Sequence, residues 1–232
     1  MHEVDDTEYI SQQDQTNTNT DTQSKIKAAP KWIAALGALV FGILYMALPE
    51  KSTLGPSWVP LLIEILLLLP MALSWLLRHP ISHHTARVLT FLLLGCITIA
   101  LIIGVILLVS SLPNRTESQA ARLLRTAVLL WLSNILVFAL WYWEIDGGGS
   151  YARHLKGYKA ADFLFPQQVD GNTQGWVPNF IDYLFLSFTG ATALSPTDTY
   201  PLSRPAKGLM MIEALIALLI LSVLIGRAVN IL

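Results

Sequence analysis

Charge is what this chain has least of. Asp, Glu, Lys and Arg make up 13% of its 232 residues, and the net charge is −1. Nucleic acid is therefore not an expected partner, because phosphate recognition needs a basic stripe. Cysteine is scarcer still. The single Cys96 lies inside an apolar block, which excludes an intramolecular disulfide and a thiolate zinc framework. Residues 1–30 have few large apolar side chains and are rich in Thr, Gln, Asn and Asp. Such a segment cannot offset its ordering entropy by burial, so a solvated, disordered tail is expected rather than a secretory signal or an organellar transit peptide.

What is present is apolar. Hydrophobic residues form 53% of the chain, gathered into blocks of roughly 17 to 23 residues, the length a helix needs to cross a hydrocarbon core of about 30 Å. The expected fold is an all-α polytopic transmembrane bundle in contact with the lipid bilayer. It has six hydrophobic segments, the fifth either spanning or re-entrant. Four spans occupy residues 31–143, a polar and interfacial loop residues 144–177, and a helix-turn-helix hairpin residues 178–232.

The first span, residues 32–48, follows Lys25, Lys27 and Lys31 and starts at Trp32, a basic and aromatic flank suited to a membrane interface. Gly37 and Gly42 offer close packing but are five apart, missing the four-residue dimerisation spacing. Residues 49–57 are turn-rich and tie the first two spans into an antiparallel hairpin. In the second span, residues 58–77, Pro70 should kink the helix. Glu64 lies about two turns in. It is either a functional intramembrane acid or close enough to the interface to reach water or headgroups.

His79, His83 and His84 follow on a short loop with no cysteine and only remote carboxylates, a pattern that does not specify a closed metal shell. The third span, residues 88–109, is uncharged and apolar all round, as a lipid-facing or packed helix would be. The fourth, residues 121–143, opens with Arg122 and Arg125, which can snorkel to the interface. Its Asn134 should hydrogen-bond to a neighbouring helix, and Trp141, Tyr142 and Trp143 should form an aromatic belt.

In the loop, Gly147, Gly148 and Gly149 lack the lysine and hydroxyl of a phosphate-binding loop and are expected to form a flexible exit from the fourth helix. Phe163, Leu164, Phe165, Pro166 and Trp176 should lie in the interface plane. The last span, residues 206–228, carries Glu213, with Arg227 fourteen residues on, roughly the same face after four turns. Glu213 either lines an ion or proton path with Glu64 as a second acid, or pairs with Arg122, Arg125 or Lys207 near the interface.

The stretch from Phe180 to Thr192, the turn Ala193, Leu194, Ser195, Pro196, Thr197, Asp198 and the helix that follows resemble the pore helix, filter and inner helix of the potassium-channel pore-loop superfamily. Thr189, Thr192, Asp198 and Pro201 fit its pattern, and Ser195 and Thr197 fall on the filter. Both filter glycines are absent, and Pro196 restrains itself and Ser195. The usual row of inward carbonyls is thus not expected, which leaves open a hydroxyl-lined, less selective cation pathway, with several copies of the chain around it, that conducts poorly or not at all. The Asp182–Tyr183 start, the residue 195–198 turn and the Arg227, Ala228, Val229, Asn230 ending also resemble a bacterial integral-membrane family of unknown function. That likeness implies fold and plasma-membrane location, and no activity.

The side of the amino terminus carries nine of the fifteen Lys and Arg if the fifth segment spans, and ten if it re-enters. Either way the amino terminus is expected in the cytoplasm, and a re-entrant hairpin would then open inward, opposite to a potassium-channel filter. That bias leans toward six spans. Nothing brings a nucleophile, base and orienter together by spacing, so an enzyme is not expected, nor is a cofactor. The two functional expectations are a pore-loop-related, ion channel-like transport protein with a degenerate filter, and a non-transporting accessory membrane component.

Overall fold

The computed structural model describes residues 32–49, 56–76, 82–111, 120–192 and 198–228, with residues 32–35, 70–76, 83, 120, 151 and 227–228 described by backbone alone. The expected polar tail lies outside the described residues, as do Ser195 and Thr197. The chain is mostly helical. In order it forms α1 (Trp32–Met46), α2 (Val59–Leu76), α3 (His83–Ser110), α4 (Ala120–Ile145), α5 (Ser150–Leu155), β1 (Phe163–Leu164), α6 (Phe180–Thr192), β2 (Tyr200–Pro201) and α7 (Arg204–Ala228).

Among the described residues three helices, His84–Ser110, Ala121–Leu155 and Arg204–Gly226, are long and apolar enough to cross a membrane, and Leu36–Met46 and Val59–Leu69 are shorter apolar stretches. With 13 residues, α6 is about 20 Å long at 1.5 Å per residue, well short of the hydrocarbon thickness. Pro60 sits in the first turn of α2, where a missing N–H costs nothing, and the helix assignment runs unbroken through Pro70. The Ser82 hydroxyl starts α3 by accepting from the Thr85 N–H at 3.1 Å.

The bundle is built around α4, which packs against α1, α3, α6 and α7. Val137, Phe138, Ala139, Leu140, Tyr142 and Trp143 are all 0–1% exposed, so this helix end is covered on every side. Glycines let its neighbours come close. A Cβ on Gly37 of α1 would stand 2.7 Å from Leu140, and one on Gly104 of α3 would stand 2.9 Å from Leu130. Gly42 faces α2 instead, against Leu61 and Glu64. Five residues turn a helix by about 500°, so the two glycines of α1 serve different partners. Their spacing is thereby explained.

Exposed apolar side chains ring the bundle. Val40 and Ile43 of α1, Leu62 and Leu66 of α2, Ile99 and Ile106 of α3, and Leu215 and Leu218 of α7 all face outward. Lipid is the solvent that such a surface suits.

Two aromatic expectations are corrected by burial. Tyr142 and Trp143 are not belt residues: they are 0% and 1% exposed, inside the protein. Phe163 and Phe165 do not lie in an interface plane either. They close the end of the bundle, with Phe163 against Tyr142 at 5.1 Å and Phe165 against Tyr183 at 5.3 Å. Amphipathic rings favour an interface only where no protein pocket competes for their apolar area.

The shortest elements tie the chain together. β1 pairs antiparallel with β2, Phe163 opposite Pro201 and Leu164 opposite Tyr200, and the Leu202 N–H donates to the Asp162 carbonyl at 2.8 Å. The chain before α6 and the chain after it therefore lie side by side, at the end of the bundle where α4 stops and α7 starts.

Candidate functional site

Glu213 lies on α7 and is 0% exposed. Its carboxyl is enclosed by three helices. Tyr142 of α4 donates its O–H to Glu213 Oε2, and Ser187 of α6 hydrogen-bonds to Glu213 Oε1. The Ser187 hydroxyl also reaches the Ile135 carbonyl at 2.7 Å. The Asn134 amide donates to the Glu213 carbonyl across a long 3.5 Å, as expected of an amide at mid-span. A Cβ on Gly190 would stand 3.0 Å from Glu213 Oε2, so an alanine there would make the carboxyl shift by a few tenths of an ångström. The expected pairing with Arg122, Arg125 or Lys207 is absent: those three are exposed, and the hydrogen-bond partners of the carboxyl are the two hydroxyls. Further along α4, Ser133 Oγ and Asn134 Oδ1 are buried without a partner.

A second network sits at the bundle end. Asp146, 3% exposed, accepts from the Tyr183 O–H at 2.5 Å and from the backbone N–H groups of Asp162 and Phe163 at 3.0 and 3.3 Å. Arg153 is as deeply buried. It donates to the carbonyls of Trp143 and Asp146 at 2.6 and 2.7 Å and lies over the rings of Trp143 and Tyr183 at 4.7 and 5.2 Å, a cation–π arrangement.

The three glycines make this possible. Gly147, Gly148 and Gly149 take φ values of +59°, +90° and +92°, which residues with a β-carbon avoid. They form a tight turn folded onto Arg153 rather than a flexible exit. Beyond it, Gln168 and Asn172 donate to the Tyr158 carbonyl at 2.8 and 3.2 Å and hold the rest of the loop. Burial raises the Tyr158 phenol, while the nearby Arg153 charge lowers it.

Glu64 is 1% exposed and so does not reach water or headgroups from its place in α2. Its carboxyl lies against Gly42, and neither oxygen has a partner of hydrogen-bonding geometry.

The pore-loop residues are arranged less simply. Thr189 donates to the carbonyls of Phe185 and Leu186, and Thr192 to those of Phe188 and Thr189, so both hydroxyls bond back to their own helix. Asp198 is exposed. The structure brings Glu213 against α6, two turns or less from Thr189, and leaves Glu64 on the separate α1–α2 hairpin.

Tyr142, Ser187, Asp146, Arg153 and Tyr183 carry no sequence pattern that marks them as parts of a site. Tyr142 carried an aromatic signal that fitted a belt equally well, and Asp146 had only its place at a helix end before a glycine run. Ser187 carried no signal of its own.

No protein-family model, curated protein or solved structure matches the chain. Its class therefore rests on its own fold: a mostly helical membrane protein with, among the described residues, three helices long and apolar enough to span.

Proposed function

We propose that the protein is a pore-loop-related transport protein of a cell membrane, in which α6 is a re-entrant helix and α7 the inner helix beside it. The observation that carries this reading is the pairing of β1 with β2. A helix whose two flanks are hydrogen-bonded to each other begins and returns on one side of a bilayer. The contacts along α4 agree: Tyr183 meets Asp146 just past its end, and the Trp131 indole, fifteen residues before Asp146, donates to the Ala191 carbonyl at 3.3 Å. From Tyr183 to Ala191 α6 advances about 12 Å. The eight Cα steps from Thr192 to Tyr200 can span about 28 Å, enough to return.

In this reading α1, α2, α3, α4 and α7 cross the membrane, the amino terminus and the residue 144–177 loop are cytoplasmic, and the hairpin opens inward. The solute is a cation, and several copies assemble to enclose its path. The lost filter glycines argue for low selectivity. The resemblance to the bacterial membrane family is compatible with this architecture and adds no activity. The competing reading is an accessory membrane component without transport. It is favoured by the complete enclosure of Glu213, whose oxygens are both satisfied inside one chain.

Two measurements test the proposal. In a Cys96→Ser background, single cysteines replace Lys159 and Tyr200, both exposed, and intact cells and inside-out membrane vesicles are each treated with an impermeant thiol reagent. Reaction from one side supports the re-entrant helix; reaction from opposite sides overturns it. In liposomes, cation flux that falls with Glu213→Gln supports transport, and a folded protein without flux leaves the accessory reading standing.

A further inference from the structure

The hydrogen-bond count around Glu213 does not close for a carboxylate. Three oxygen pairs are in contact: Tyr142 Oη with Glu213 Oε2, Ser187 Oγ with Glu213 Oε1, and Ser187 Oγ with the Ile135 carbonyl. Each such contact is a favourable one only if a proton lies between the two oxygens. Tyr142 supplies one proton and Ser187 one. With Glu213 ionised, the single Ser187 proton must serve two acceptors, and one of the pairs becomes a contact between bare lone pairs. With a proton on Oε1 the count is complete. Tyr142 then donates to Oε2, Glu213 donates to Ser187, and Ser187 donates to the Ile135 carbonyl.

We infer that the ion this site takes is the proton, with Glu213 as the group that binds and releases it. The inference deepens the transport reading above by naming its substrate. No cationic side chain is among the partners of the carboxyl, and the titratable side chain facing it from α4 is Tyr142. From α6 it is faced by Ser187, which does not titrate, and by the bare Gly190.

A metal cation is a poorer fit. An ion held by this carboxyl would have to separate oxygens that are already in hydrogen-bonding contact, and the site offers one carboxyl and two hydroxyls where hard cations gather six or more oxygens. Release of the proton needs a water molecule to reach the carboxyl as acceptor, since Glu213 is 0% exposed, and needs the 2.7 Å contact of Ser187 with the Ile135 carbonyl to lengthen. The Ser187 O–H turns from the Ile135 carbonyl to Glu213 Oε1, so the carboxylate accepts from Tyr142 and Ser187 together. Ser187 is thus a positioning residue with two hydroxyl orientations, one for each state of Glu213.

The test uses the full chain with Glu64→Gln, so that Glu213 and Asp146 are the buried acids that remain among the described residues, reconstituted in lipid and followed by infrared spectroscopy in water and in deuterium oxide. The expected result is a protonated-carboxyl C=O stretch that shifts on deuteration, vanishes in Glu213→Gln and moves to higher frequency in Ser187→Ala, where the acid loses its acceptor. Absence of that band, or its persistence in Glu213→Gln, overturns the inference. Should Glu213→Gln fail to fold, the Ser187→Ala and Tyr142→Phe shifts decide the same point.

Flux separates this inference from the reading it rests on. Liposomes with an internal pH dye are compared with liposomes loaded with potassium or sodium. Acidification that is lost in Glu213→Gln supports proton transport. Metal-cation flux without proton flux refutes the inference and spares the transport reading. No flux of any ion, with the infrared band present, refutes transport alone and leaves a proton-binding structural acid.

Discussion

Replacing Asp146 by Ala should uncouple α6 from the end of α4. The carboxylate accepts the buried Tyr183 O–H at 2.5 Å and the buried Phe163 N–H at 3.3 Å, and a third donor, the Asp162 N–H, is only half-buried and can turn to water. Two orphaned buried donors cost about 1–3 kcal/mol each. Arg153, 3% exposed and bonded to the Asp146 backbone carbonyl rather than to its carboxylate, also loses the field of that charge. The two donors together set the expected loss at about 4 kcal/mol. At about 2–4 °C per kcal/mol for a chain of this size, the unfolding midpoint should fall by about 8–16 °C. Trp143 emission is the natural probe in mild detergent, since its ring stands 5.5 Å from Tyr183. Asp146→Asn, which keeps one acceptor oxygen, should lose about half as much. A double-mutant cycle with Tyr183→Phe should give a coupling of about 0.5–3 kcal/mol. If Asp146→Ala unfolds within about 1 kcal/mol of the exposed control Asp170→Ala, the latch described above is not holding the helix.

Three further substitutions probe other contacts. Gly147→Ala should destabilise by about 1–2 kcal/mol from its φ of +59° alone, and more because a Cβ there meets Arg153 Cγ at 2.8 Å. Gly157→Ala, at φ +64° with open space around it, is the comparison, and equal midpoints for the two would remove the packing argument. Gly42→Ala should cost about 1–3 kcal/mol by overpacking α1 against Leu61 and the Glu64 carboxyl. Adding Glu64→Ala should restore part of that loss in chemical unfolding, and a double variant no better than the single one would place the strain elsewhere. Trp141→Phe should lose about 0.6–1.7 kcal/mol with its 2.8 Å bond to Thr98. Thr98→Val should lose a similar amount, and combining them should cost little more if that bond is the cause.

Helix content and membrane character were legible in the sequence because long apolar runs admit few alternatives in lipid. So was the list of polar side chains that such runs cannot ignore: Glu64, Glu213 and Asn134 were all singled out, and all three are buried. Their partners were not legible. Glu213 could be paired on paper with basic residues along the chain, yet its carboxyl is met by hydroxyls from positions 142 and 187, which only the packing of α4, α6 and α7 brings together. The aromatic residues misled for a related reason. Trp143 and Phe163 have the same character whether their apolar area is covered by headgroups or by other rings, and composition does not distinguish the two.

What the sequence determined by itself was therefore the solvent and the secondary structure. A chain with this much apolar surface and this little charge must satisfy its backbone in helices and offer side chains to lipid. Tertiary structure decided which side of each helix is buried, because helices that are apolar all round carry no stripe to orient them. It also decided where α6 begins and returns. Two strands of two residues each, with 35 residues between them in the chain and joined at Phe163–Pro201 and Leu164–Tyr200, have no periodicity to read. The Asp146 carboxylate and the rings of Tyr142, Trp143 and Tyr183 hold β1 and the start of α6 at the end of α4, and the returning chain joins β1 there through backbone hydrogen bonds such as Leu202 N–H to the Asp162 carbonyl.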